Sequence, residues 1–168
     1  MHIMSTDAEF EAIKSLPRVA LPRSNAYLFR LGIALYGFAS IASFMAEVTC
    51  HLDPTLNRTK LEEQMGGGLL NAFRKAVEKG ALSYPGVFAP GQLAADLFQT
   101  MNAERSDIVH AYPITNSKGE QILHRRKDSQ GKYFEVTDEL LDSFSSRLHE
   151  VSLQLYAIRK IVRPDLGD

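Results

Sequence analysis

Apolar residues recur in alternating steps of three and four along the C-terminal part of the chain, the spacing of one helix face. This stripe contains Leu141, Phe144, Leu148, Val151, Leu155, Ile158 and Val162. Thr137 precedes it as the expected N-cap, and Pro164 is expected to end the helix. The pattern predicts a long helix packed inside a bundle, and a coiled-coil dimer is the alternative.

Helical spacing also covers most of the N-terminal two thirds. Residues 1–23 contain a short helical pattern followed by two prolines, so we expect a peripheral segment. Ser24 is the expected N-cap of a helix that ends near His51. A further helical segment starts near Thr59, is interrupted by glycines 66–68, and resumes until Gly80. After a loop over residues 83–90, another helix is expected to end before Pro113.

Residues 112–136 have a different character, because β-favouring side chains lie between two turn-like stretches at 116–119 and 128–131. They predict two or three antiparallel strands. The expected fold class is therefore all-α: an up-and-down bundle of four main helices with a small antiparallel β-insert before the last helix. Residues 24–168 would form this single domain.

Residues 31–46 carry no charge, which raises the question of a membrane span. The stretch is shorter than the roughly 20 residues that a spanning helix needs, and glycines and serines dilute its hydrophobicity. We interpret it as the buried central helix of a bundle and expect no membrane association.

The overall charge gives no indication of a nucleic-acid partner. The net charge is −1, so any contact with nucleic acid must come from a local basic patch. The chain has one cysteine, Cys50, and residues 1–14 lack the apolar core of a secretory signal. These features predict a cytoplasmic protein.

The most informative short motif is RSDIVH at residues 105–110, near the end of a predicted helix. Arg105 offers a fixed positive charge, and histidines such as His110 exchange protons near neutral pH. Five helical residues correspond to about 140° of rotation, so the two side chains do not share a face of an ideal helix. Asp107 lies three positions before His110 and is expected to orient it. The alternative is that Arg105 forms an ordinary ion pair and His110 packs beneath the strands.

The string from Arg105 to His110 resembles the R-x4–6-H motif of the HEPN superfamily, helical proteins common in toxin, phage-defence and RNA-processing systems. Ser106 departs from the asparagine that often follows the arginine in that family. The resemblance covers residues 105–110 and, loosely, the helical layout over 24–162. It implies a metal-independent endoribonuclease without a cofactor, acting on single-stranded RNA. It also implies a homodimer, and a protein partner such as an antitoxin.

By this resemblance Arg105 and His110 would be the catalytic pair. The histidine would accept the 2′-OH proton, and the arginine would stabilise charge developing on the phosphorus. Asp107 or Glu104 would orient them, with Ser106 in support. Because many HEPN proteins are not nucleases, a non-catalytic protein-interaction or regulatory module is the alternative.

The densest basic run is His124, Arg125, Arg126 and Lys127, with Tyr133 nearby. Arginines beside aromatic rings suit RNA, because they combine phosphate contacts with base stacking. A solvated hairpin with its aromatic rings turned inward is the alternative.

Two further features do not predict a ligand site. Gly66, Gly67 and Gly68 are not followed by the Lys-Ser/Thr of a phosphate-binding loop, so we expect a kink or a close helix crossing. The histidines, among them His2, show no metal-ligand spacing, and we expect no metal site.

Overall fold

The computed structural model of the protein describes residues 6–64 and 66–167, so His2 and the first residues of the peripheral segment lie outside the described part. Across the described part, the structure is mainly helical with one small antiparallel sheet. The helices are α1 Thr6–Ser15, α2 Asn25–Leu52, α3 Arg58–Gln64, α4 Gly67–Gly80, α5 Phe88–Val109 and α6 Asp138–Val162. The strands are β1 Tyr112–Thr115, β2 Gln121–Lys127 and β3 Lys132–Val136.

Side-chain caps fix the starts of the two longest helices. The Ser24 hydroxyl accepts a hydrogen bond from the backbone N–H of Tyr27, at 3.1 Å. The Thr137 hydroxyl accepts one from the backbone N–H of Leu140, also at 3.1 Å. Both starts confirm the prediction, since each cap satisfies an N–H that the first helical turn leaves without a partner.

The core lies among α2, α4, α5 and α6. α2 and α5 each pack against both α4 and α6. Each of these four helices contributes one fully buried phenylalanine: Phe38, Phe73, Phe98 and Phe144. Phe38 and Phe98 stack with ring centroids 5.1 Å apart. The apolar stripe of α6 is buried in this core apart from the half-buried Val162, so it packs inside the chain and does not form an exposed dimer face.

Two of the glycines at which a Cβ would clash bear on the arrangement of the helices. Gly66, between α3 and α4, has φ 54°, and a Cβ there would lie 2.9 Å from the Asn102 side chain. At Gly37 in α2, a Cβ would lie 2.9 Å from Leu148 Cδ1 of α6. The glycines at 66–68 therefore mark the interruption that the sequence predicted, and Gly37 allows α2 and α6 to cross closely.

The sheet is attached to the helices through Tyr27 of α2. Its hydroxyl donates to the carbonyl of Val136 at 2.8 Å and accepts from the N–H of Leu123 at 3.1 Å. Burial raises the pKa of Tyr27, so the phenol stays neutral and keeps both bonds. The start of α2 therefore lies at the sheet end of the helical core.

α2 is the one helix of the described residues that is long and apolar enough to cross a membrane by length and composition, a criterion that core helices of soluble proteins also meet. One side of it is core. The other side exposes Phe29, Ile33 and Tyr36 on successive turns. The helix is therefore central, as predicted, but it is not buried all round.

Candidate functional site

The motif occupies the last turns of α5, where local geometry ends the helix. His110 is the C-cap residue, and its backbone N–H donates to the carbonyl of Ser106 at 3.0 Å. Pro113 follows in β1 and cannot continue the helical hydrogen bonds. The side chains from Glu104 to His110 therefore project around the helix end in several directions.

Glu104 faces α6. Its carboxylate accepts two hydrogen bonds from Arg147, at 2.7 and 2.5 Å. These bonds raise the pKa of the Arg147 guanidinium. Paired bonds between a guanidinium and a carboxylate are stronger than neutral ones, so Glu104 joins α5 to α6.

Asp107 faces the sheet and is 7% exposed. It accepts hydrogen bonds from Arg125 Nε at 3.0 Å and from Lys132 Nζ at 2.6 Å. Burial alone raises the pKa of a carboxyl, but the bonds from Lys132 and Arg125 outweigh it and hold the pKa of Asp107 below its usual value. The charged carboxylate therefore connects α5 to β2 and β3. In the described part of the chain it does not make the expected contact with His110, because two cations of the sheet occupy it.

Arg105 points toward α2. Its guanidinium lies over the Phe38 ring, 5.3 Å from the centroid, and Nη2 donates to Asn102 Oδ1 at 3.3 Å. Nε is buried without a hydrogen-bond partner among the described residues. Arg105 is thus a half-buried cation that a ring and an amide orient.

His110 lies at the opposite side of the motif, with an exposed side chain. Its carbonyl accepts from Arg125 Nη1 at 3.4 Å, which places it beside the sheet. Ser106 is half-buried, and its carbonyl caps the helix end. Arg105 and His110 therefore face different neighbours within one chain, in agreement with the rotation expected from the sequence.

Strand alternation separates the members of the basic run. Arg125 points toward the helices and is held by Asp107, so it is not part of the exposed surface. His124 and Arg126 point to the opposite face, and Tyr133 pairs with Arg126 there. Lys127 is half-buried at the end of β2.

The aromatic rings also divide between the two faces. Phe134 lies on the face that packs against the core, whereas Tyr133 is 58% exposed. Tyr112 of β1 is 43% exposed, and its ring lies 5.7 Å from the His124 ring. The alternative of a hairpin with all its rings turned inward is therefore wrong for Tyr112 and Tyr133.

The sequence did not identify several residues that contact the motif. Asn102 is a one-turn neighbour of Arg105, so i, i+3 spacing could have identified it. Lys132 and Arg147 come from elements distant in sequence, and nothing local indicates that they contact the motif.

Two grooves lie near these elements. One of about 320 Å³ is lined by Glu104, Asp107, Phe134 and Arg147 among others, and a larger one of about 860 Å³ lies between residues 20–24 and the β1–β2 turn. Neither Arg105 nor His110 lines either groove. Within residues 6–64 and 66–167, no three His, Cys, Asp or Glu side chains group as metal ligands would.

Comparison with known proteins gave no match: no protein-family model, no curated protein and no solved structure is significantly similar to the chain. The likeness to HEPN proteins therefore rests on residues 105–110 and on the helical layout.

Proposed function

We propose that the protein is an HEPN-like, metal-independent endoribonuclease of a toxin or phage-defence system, acting on single-stranded RNA in the cytoplasm. The observation that carries the proposal is that one helix end holds both an exposed His110 and a half-buried, oriented Arg105. In this proposal α2, α4, α5 and α6 form an up-and-down bundle, supported by a closed cycle of contacts in which each helix packs against two others.

The chemistry needs one proton acceptor and one fixed cation. His110 takes the proton of the ribose 2′-OH, and the freed oxygen attacks the adjacent phosphorus, forming a 2′,3′-cyclic phosphate. The P–O5′ bond breaks, and the leaving oxygen takes a proton from water or a second histidine. Arg105 stabilises the charge on the phosphoryl oxygens. Proton transfer by a placed histidine contributes about 10²–10⁴-fold to such a rate.

The different directions of Arg105 and His110 call for a second copy of the chain. In a homodimer the His110 of one copy would act together with the Arg105 of the other. The exposed apolar residues Phe29, Ile33 and Tyr36 support such a dimer, because they start at the sheet end of α2, the end where Tyr27 contacts the strands. The apolar stripe of α6 is buried in the core of the chain, so it does not supply the dimer contact.

The decisive experiment is cleavage of unstructured RNA in EDTA. The wild type should cleave, whereas Arg105→Ala and His110→Ala should each lose at least about 100-fold in rate. His149→Ala is the matched control, because His149 is an exposed histidine on α6. Equal activity of His110→Ala and His149→Ala would remove His110 from the mechanism.

A non-catalytic interaction or regulatory module, bound to a protein partner such as an antitoxin, is the second candidate. The ion pairs of Glu104 and Asp107 favour it, because both acids of the motif connect α5 to its neighbours. In that case purified protein has no activity on RNA, and His110→Ala changes only the affinity for the partner.

A further inference from the structure

The face of the sheet opposite to the one that binds Asp107 carries an unusual set of side chains. Antiparallel pairing places Tyr112 opposite His124, and Arg126 opposite Tyr133. Because paired residues point to the same side, these four side chains share one surface, named here the outer sheet face. The residues that alternate with them face the helices, as Arg125 and Lys132 do when they bind Asp107.

The two tyrosines of the outer sheet face are exposed and separated. They lie on the two edge strands, with β2 between them and an offset of two residues. Strand spacing and rise place their Cα atoms about 12 Å apart. Each ring can therefore accept a different planar ligand group.

Arg126 lies between these rings and is already oriented. It donates to Asp128 from Nε at 3.0 Å and from Nη2 at 3.3 Å, and its guanidinium lies 5.6 Å from the centroid of the Tyr133 ring. The Tyr133 hydroxyl also donates to Asp128. These contacts fix the Tyr133 ring and leave Nη1 of Arg126 without a hydrogen bond among the described residues.

The charge on this face is modest. Arg126 is its fixed cation, and Glu135 lies opposite His124. A polyanion held mainly by charge would need more cations than this. Aromatic rings that flank an arginine instead suit a ligand with planar bases and few phosphates in contact.

We propose that the outer sheet face binds single-stranded nucleic acid by stacking unpaired bases on Tyr112 and Tyr133, with Arg126 contacting a phosphate between them. This deepens the proposed ribonuclease, on which it rests for the choice of nucleic acid as ligand, by naming how the substrate strand is held. It requires unpaired bases, because a duplex hides the base faces that a ring would contact.

The test measures binding separately from cleavage. Fluorescence anisotropy uses two labelled probes. The first is a short polydeoxyadenylate, which lacks the 2′-OH and cannot be cleaved by the proposed chemistry. The second is the RNA of the same sequence, whose binding is measured in the His110→Ala background to prevent cleavage. Tyr112→Ala and Tyr133→Ala should each weaken binding of both probes at least about fivefold, whereas the Tyr→Phe variants keep it. Tyr84→Ala is the matched control, since Tyr84 is a 45% exposed tyrosine that lies outside the sheet and outside the proposed dimer face. Circular dichroism confirms folding.

Salt and strandedness make the test sharper. With one or two phosphate contacts, a fourfold rise in salt should weaken binding only about three- to sevenfold. A labelled duplex should bind more weakly than the single strand. Duplex binding as tight as single-strand binding, or affinities that do not differ between Tyr84→Ala and the two sheet variants, would overturn the proposal. If binding depends on the two tyrosines but the protein does not cleave RNA, the nuclease is rejected and the binding face is kept. If the protein cleaves RNA but binding does not depend on the tyrosines, the binding face is rejected and the nuclease is kept.

Discussion

Asp107 shows why the role of a single residue was harder to predict than its position. Its spacing to His110 along one helix suggested an orienting contact. That rule compares residues of the same helix only, whereas Arg125 and Lys132 reach Asp107 from two strands that follow later in the chain. Two charge-assisted bonds outweigh a contact with an exposed imidazole, so the carboxylate faces the sheet.

Removing Asp107 should therefore destabilise the protein. Asp107→Ala leaves Arg125 without its carboxylate in a largely buried position, and we expect a loss of about 3 kcal/mol in the free energy of unfolding. Asp96→Ala is the matched control, because Asp96 pairs with Arg74 on the surface and should cost less than about 1 kcal/mol. Urea denaturation measures both, and equal losses would contradict the structural role of Asp107.

Acid should weaken the fold through carboxylates whose pKa is lowered. Hydrogen bonds from Lys79 and Thr55 lower the pKa of Asp53 to about 2, and Asp107 is also shifted down. The unfolded pKa of an aspartate is about 3.9, so this stabilisation is complete above that pH and is lost as the pH falls toward 2. Melting temperatures of wild type and Asp53→Asn should converge over that range, and a constant difference would contradict the shift at Asp53.

Helix caps and helix breaks depend on local contacts, and they were predictable. Ser24 and Thr137 start helices through hydroxyl contacts with an N–H three residues later. The basic run at residues 124–127 was predicted as a single cluster. Strand pairing instead places its alternate members on opposite faces of the sheet, which the sequence spacing alone did not indicate.

Two adjacent glycines at the junction of α3 and α4 allow a matched pair of alanine substitutions. Gly66 has a positive φ and contacts Asn102, so Gly66→Ala should destabilise the protein by about 1–3 kcal/mol. Gly67 begins α4, and a Cβ added there would have no neighbour within 4 Å, so Gly67→Ala should stabilise the protein by about 0.4–1 kcal/mol. Thermal unfolding of the two variants should show shifts of opposite sign, and a Gly66→Ala variant that melts at or above the wild-type temperature would show that the turn does not need the Gly66 conformation.

The helical class and the β-insert of the protein followed from hydrophobic spacing and β-favouring residues. The sequence did not predict which side of α2 is buried and which is exposed, because its uncharged stretch has no polar side to distinguish solvent from core. The contacts with α4 and α6 settle one side. The other side exposes Phe29, Ile33 and Tyr36, and it is the face that the proposed homodimer would use.

A charge placed on that face should separate the two copies. In the proposed dimer Tyr36→Arg places an unpaired cation in an apolar contact, where its desolvation costs several kcal/mol, whereas in a monomer Tyr36 faces water. Light scattering should give the mass of two chains for wild type and of one chain for Tyr36→Arg. Leu82→Arg is the control, since Leu82 is highly exposed after α4 and should leave the mass unchanged.

Because a composite site needs both copies, RNA cleavage should fall with the dimer fraction. A Tyr36→Arg protein that stays dimeric would exclude this face as the contact, and a monomeric variant with full activity would exclude a site shared between copies.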